Sequence, residues 1–114
     1  MAIKTFIRDG VTIVEISCNL DANVVPQIQE EIMSLVVPDC LLVLDMSNCQ
    51  YVSSAGLRLL LMIAKRVKAT ESGKWYLASV SEEIMDIMEM TGFAKFFSTF
   101  DTVSEAIEDI RRSA

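Results

Sequence analysis

The run Cys40-Leu41-Leu42-Val43-Leu44, the polar stretch from Asp45 to Gln50, and then Tyr51-Val52-Ser53-Ser54-Ala55-Gly56 decide how the rest of the chain is read. Residues 40–44 are apolar at every position rather than at alternate ones. That suits a central strand covered on both faces, where a parallel strand usually sits. After the serines a helix runs to about Thr70, with Leu57, Leu60, Leu61, Ala64 and Val67 on one stripe. Lys65, Arg66 and Lys68 complement the negative end of its dipole. A strand leading into a helix is the repeating unit of an α/β sheet, and functional sites in such sheets tend to lie at a strand's carboxyl end. Here that junction is Asp45 to Gly56.

Upstream, Ile3 to Arg8 and Val11 to Ser17 are β-rich runs joined by Asp9-Gly10. A type I′ turn needs φ > 0 at both central positions, so Asp-Gly signals a hairpin. Asp21 or Asn23 is placed to cap a helix running to about Val36, with Val25, Ile28, Ile32, Leu35 and Val36 inward. Pro26 fits in its first turn, and Pro38-Asp39 ends it. Downstream, Ser72-Gly73 turns the chain into a strand at Lys74 to Ala78. Ser79-Val80-Ser81-Glu82 reads as a capping box for a helix with Ile84, Ile87 and Met88 inward and Gly92 as its stop. Phe96-Phe97-Ser98 is expected as a short last strand. Thr102-Val103-Ser104-Glu105 is a second capping box, followed by an inward stripe of Val103, Ala106, Ile107 and Ile110. The expected fold is α/β: one domain over residues 1–114, with a mixed β-sheet of about five strands and about four helices.

Composition narrows the function. The 114 residues are 52% hydrophobic and 23% charged, a globular balance. Ten basic against sixteen acidic residues give a formal charge of −6. Phosphate backbones are bound by clustered Lys and Arg, so direct nucleic-acid binding is not expected. There are no histidines. The usual general base near neutral pH, the Ser-His and Cys-His pairs and the commonest zinc ligand are therefore missing. Cys18, Cys40 and Cys49 form no CxxC and read as small hydrophobes of a reducing compartment. Met1-Ala2-Ile3-Lys4-Thr5 lacks the apolar core of a signal peptide. The longest apolar run, Leu59 to Ala64, is far short of the roughly 20 residues of a membrane span. A cytoplasmic protein without a membrane span, a cofactor or a metal is expected.

The chemistry concentrates at Ser53-Ser54-Ala55-Gly56-Leu57. Two hydroxyls stand at a helix N-terminus, where unpaired N–H groups and a partial positive charge favour an anion. One serine suffices for a cap worth about 1 kcal/mol, so the pair exceeds what capping needs. A nucleotide-binding loop would need G-x-x-x-x-G-K-[ST], which Gly10, Gly56 and Gly73 do not supply, and Arg58 is the nearby cation. No G-x-S-x-G elbow activates Ser54. Asp21 and Asp45 are the carboxylates that could approach it. An enzyme is not expected.

Leu44 to Arg58 (Leu-Asp-Met-Ser-Asn-Cys-Gln-Tyr-Val-Ser-Ser-Ala-Gly-Leu-Arg) resembles the signature of STAS domains, the anti-sigma-factor antagonists. Asn19-Leu20-Asp21 is similar to that family's Gly-x-Leu-Asp, and Met90-Thr91-Gly92-Phe93 to its later Ser/Thr-Gly-Leu. Three motifs in order extend the resemblance over essentially the whole chain. Cys18 replaces the motif glycine, and Ser53 stands where the family often has Asp.

The resemblance implies partner switching. The unphosphorylated antagonist would bind a serine-kinase anti-sigma factor, or a related protein kinase. Phosphorylation would release it, and a metal-dependent serine phosphatase would reverse the mark. The acceptor lies two residues before the signature glycine, hence Ser54, with Ser53 as second choice. The implied partner surface takes Asp21 and Asn23 from the first helix's approach, and Ser53, Ser54, Gly56, Leu57 and Arg58 from the second helix. A STAS scaffold or accessory protein without a sigma factor, or a nucleotide-binding domain, is the alternative.

Overall fold

Asp9 and Gly10 both take positive φ, 53° and 80°, and close the hairpin between β1 (Ile3–Arg8) and β2 (Val11–Ile16) with Arg8 opposite Val11. This computed structural model describes residues 2–112; Met1, Ser113 and Ala114, at the ends of the expected domain, lie outside the described residues. The order continues α1 (Val25–Ser34), β3 (Leu41–Asp45), α2 (Ser54–Lys68), β4 (Lys74–Ala78), α3 (Glu82–Thr91), a 3₁₀ turn (Phe93–Phe96), β5 (Thr99–Phe100) and α4 (Val103–Arg112). The strands form one sheet in sequence order, antiparallel between β1 and β2 and parallel from β2 through β5.

The central strands are apolar throughout because both faces are covered. Val14 and Ile16, Leu42 and Leu44, and Trp75 and Leu77 look onto α1, α2 and α3. The alternate residues Val11, Ile13, Val43 and Ala78 meet Ala106, Ile107 and Ile110 of α4. Two-sided burial removes the alternation of a half-exposed strand. On the α4 face the Tyr76 hydroxyl donates to Asp109 Oδ2 at 2.6 Å. Burial, together with that carboxylate, pushes the phenol up to about 12.

Several expectations shift by part of a turn. The last strand is Thr99–Phe100, not Phe96-Phe97-Ser98. Residues 93–96 are coiled into the 3₁₀ turn so that Phe97 enters the core, edge-on to Trp75 at 5.6 Å between ring centres. The cap of α3 is Ser81, whose Oγ accepts from Ile84 N at 3.2 Å, rather than Ser79. Ser79 takes φ +58° and donates its hydroxyl to Asp101 O. Thr102 caps α4 as the pattern required, its Oγ1 accepting from Glu105 N.

In α2 the buried residues include Leu59 and Ile63, while Leu61 and Ala64 are only half-buried. The helix packs on both the sheet and α1, so its apolar face is wider and turned from a single stripe. Helix α1 stops at Ser34, leaving Leu35 half-buried. Ile87 is exposed, because α3 reaches the core through Ile84 and Met88 alone.

Candidate functional site

The junction after β3 is held by an unusual neighbour, the segment 19–21 that precedes α1. Leu20 and Val52 form an isolated parallel bridge. Leu20 N donates to Tyr51 O and Ser53 N donates to Leu20 O, each at 2.9 Å. Gln50 N donates to the Asn19 side chain at 3.1 Å. Gly56 makes this approach possible. A Cβ at that position would stand 2.6 Å from Leu20 O and 2.8 Å from both Leu20 Cβ and Val52 Cγ1.

The two serines have different jobs. Ser53 is the N-cap of α2, extended at φ −83° and ψ 178°. Its Oγ accepts from Gly56 N at 3.3 Å and donates to Leu20 O at 3.0 Å, so both capabilities of the hydroxyl are in use. Ser54 is the first helical residue. It is exposed, and its hydroxyl makes no hydrogen bond among the described residues. A Ser at this position has its side chain outside the capping geometry, on the rim of a helix N-terminus.

Asp21 closes a turn just ahead of α1: its Oδ1 accepts from Asn23 N at 3.0 Å and Val24 N at 2.9 Å. Asn23 caps nothing with its side chain; its carbonyl accepts from Gln27 Nε2. Asp45, at the end of β3, accepts from Ser47 N at 3.0 Å and serves the loop. The bridge brings the Asp21 turn beside the start of α2. Asn23, Ser54 and Arg58 are exposed there, and Ser53 is half-buried. Gly56 and Leu57, expected on the partner surface, are instead buried. They face inward because the helix must seat against Leu20 and Val52, so they support the surface from beneath.

A groove of about 520 Å³ runs from this point between α1 and α2, lined by Ala22, Pro26, Ala55, Arg58 and Met62 among others. Sequence reading missed Pro26 and Met62. The signal was present: Met62 stands four residues after Arg58 and seven after Ala55, on one helical face. Burial pushes the Cys49 thiol up, and its Sγ donates to Tyr51 O at 3.4 Å; the thiol packs as a small apolar group. Among the described residues no group of three or more His, Cys, Asp or Glu could hold a metal ion, and no helix is long and apolar enough to cross a membrane.

The STAS domain model matches residues 2–106. The chain belongs to the STAS family. Over 55 residues this STAS domain is 34% identical to BtrV of Bordetella bronchiseptica, described as an anti-sigma factor antagonist; that stretch is 48% of this chain and 47% of the relative. The chain thus matches about half the length of that relative. An anti-sigma-factor antagonist (STAS) domain protein from Planctomyces limnophilus superposes with a TM-score of 0.86 at 22% identity, over 96% of this chain and 98% of that one. The Bacillus cell fate determinant SpoIIAA in its phosphorylated form does so at 0.69 and 18% identity, over 96% and 99%. At these identities the likeness carries the fold. The five-stranded mixed sheet with four helices is the STAS architecture.

Proposed function

We propose that this STAS domain is a phosphorylation-controlled anti-sigma-factor antagonist in a partner-switching pathway. Unphosphorylated, it binds a serine-kinase anti-sigma factor; phosphorylation of Ser54 releases it, and a metal-dependent serine phosphatase restores it. The observation that carries this reading is the division of labour between the serines. Ser53 is committed to the cap, whereas the exposed Ser54 hydroxyl is without a hydrogen-bond partner among the described residues.

The physics of the mark follows from its place. A phosphate adds about −1.5 to −2 charges at pH 7. At the first turn of α2 that charge is favourable to the helix, so the fold tolerates it. The cost falls on the complex, where a dianion must be desolvated against a surface that had accepted a hydroxyl. The groove between α1 and α2 begins beside Ser54 at Ala55 and offers the apolar contact area. The switch is therefore one of affinity, with little change of shape.

The test uses ATP and the serine kinase that co-purifies with the protein, read by intact mass and by titration. Ser54→Ala is expected to take no phosphate and to keep binding the kinase. Ser53→Ala is expected to be phosphorylated more slowly, and Ser54→Asp to bind more weakly. Unchanged phosphate incorporation into Ser54→Ala, or wild-type affinity in Ser54→Asp, overturns the reading.

A further inference from the structure

The groove between α1 and α2 carries charge of one sign. Pro26, Ala55, Leu59 and Met62 give it an apolar floor, and Arg58 and Lys65 are the charged side chains that line it. No Asp or Glu does, in a chain of sixteen acids and ten bases. Glu30 and Glu31 are exposed on α1 outside that lining, and Asp21 accepts from the backbone of its own turn. Arg58 and Lys65 are both exposed, and neither makes a hydrogen bond or ion pair among the described residues. They stand seven residues apart, two turns or about 10 Å along α2.

Ser54 opens the same stripe. It precedes Arg58 by four residues within α2, the spacing that sets side chains one above the other with Cβ atoms about 5–6 Å apart. Ser53 lies outside the helical turns, and its hydroxyl is spent on Gly56 N and Leu20 O. The first cation of the groove is thus the neighbour of the free serine, one turn along the helix.

Taking Ser54 as the phosphoacceptor, we propose that the groove receives an acidic amphipathic helix of the partner and that Arg58 transmits the mark. Two carboxylates of that helix pair with Arg58 and Lys65, and its apolar face lies on Leu59 and Met62. A third helix packs its ridges into the groove between two others, and carboxylates seven residues apart on it match the spacing of the two cations. The γ-phosphoryl of ATP passes to Ser54 Oγ, the hydroxyl proton leaves and ADP departs. The new dianion is within reach of Arg58 and takes its guanidinium in charge-assisted hydrogen bonds. The partner's carboxylate then loses its pair and meets a phosphate of like sign. A pairing at i and i+4 needs no backbone movement, so affinity falls while the shape stays.

The test titrates the co-purifying kinase against wild type, Arg58→Gln and Arg111→Gln, each with and without phosphate on Ser54. Circular dichroism confirms that each variant is folded. Arg58→Gln is expected to weaken binding of the kinase at least tenfold, whereas Arg111→Gln, on α4 across the sheet, leaves it unchanged. Arg58→Lys, which keeps the charge and loses the fork, is expected between the two. Wild-type binding should weaken as salt rises from about 50 to about 500 mM, because acids meet cations in the groove. Phosphorylation should cost at least threefold less affinity in Arg58→Gln than in wild type. Followed by ³¹P resonance, the phosphoserine should titrate about 0.5 pH lower in wild type than in Arg58→Gln, since a nearby cation favours the dianion. If phosphorylation releases the kinase, yet Arg58→Gln binds it as wild type does, binding tightens with salt, or the two phosphoserines titrate alike, this proposal falls and the switch stands. A kinase that stays bound to phosphorylated wild type overturns both.

Discussion

Replacing Gly56 with Ala tests how the candidate site is assembled. Two effects oppose each other. Within a helix, Ala is favoured over Gly by about 0.5–1 kcal/mol, so propensity alone predicts a more stable protein. The added methyl, however, would lie 2.6 Å from a backbone carbonyl, Leu20 O, and 2.8 Å from two further carbons. None of these is the free end of a long side chain, so either the segment 19–21 or the start of α2 must move. Overpacking of this kind costs about 1–3 kcal/mol. Displacing Leu20 also strains its two backbone bonds to Tyr51 and Ser53, each worth about 0.5–1.5 kcal/mol. The balance is a net loss of about 2 kcal/mol. At about 2.1 cal/mol/K of unfolding entropy per residue, 1 kcal/mol corresponds to about 4 °C for a chain of this length, so the midpoint should fall by about 8 °C. Calorimetry and urea titration of the two proteins measure this. A Gly56→Ala protein as stable as wild type, or more stable, would falsify the close approach of Leu20 to α2 as the reason for glycine.

The serines should separate by stability as well as by chemistry. Ser53→Ala removes the cap and the bond to Leu20 O and should lower the midpoint by about 4–8 °C, the equivalent of about 1–2 kcal/mol. Ser54→Ala should stay within about 0.5 kcal/mol of wild type in the same melts, because no bond is lost; the opposite ranking would reverse the roles assigned to them. Tyr76 predicts a limb at high pH. Its folded pKa lies above the ordinary value of 10, so folding favours the protonated phenol. That contribution is intact below pH 10 and is lost as pH rises toward about 12. Tyr76→Phe should be less stable than wild type by about 1 kcal/mol at neutral pH, the part-exposed bond being screened by solvent. In urea titrations at several pH values the gap should close between pH 10 and 12, and a gap that stays constant would refute the assignment.

Much of this molecule was legible because its signals are local. The Asp9-Gly10 hairpin, the fully apolar β3 and the cap at Thr102 depend on backbone preferences and on hydrogen bonds within a few residues. The order of strands and helices follows from periodicity, and the serine pair singles out the candidate site by local pattern alone. What the sequence left open was settled by contacts between distant segments. Ser53 and Ser54 are equivalent as letters; the carbonyl of Leu20, thirty-three residues away, draws one into the cap and leaves the other free. Gly56 and Leu57 belong to the motif yet lie inside, because the same approach fixes which face of α2 is buried. Phe97 displaced the last strand by entering the core against Trp75, a contact between distant segments that local spacing does not encode. Lys65 and Lys68 read as a dipole complement along one helix. Only the fold sets them near Lys95, since the clustering of charge across elements has no counterpart in local spacing.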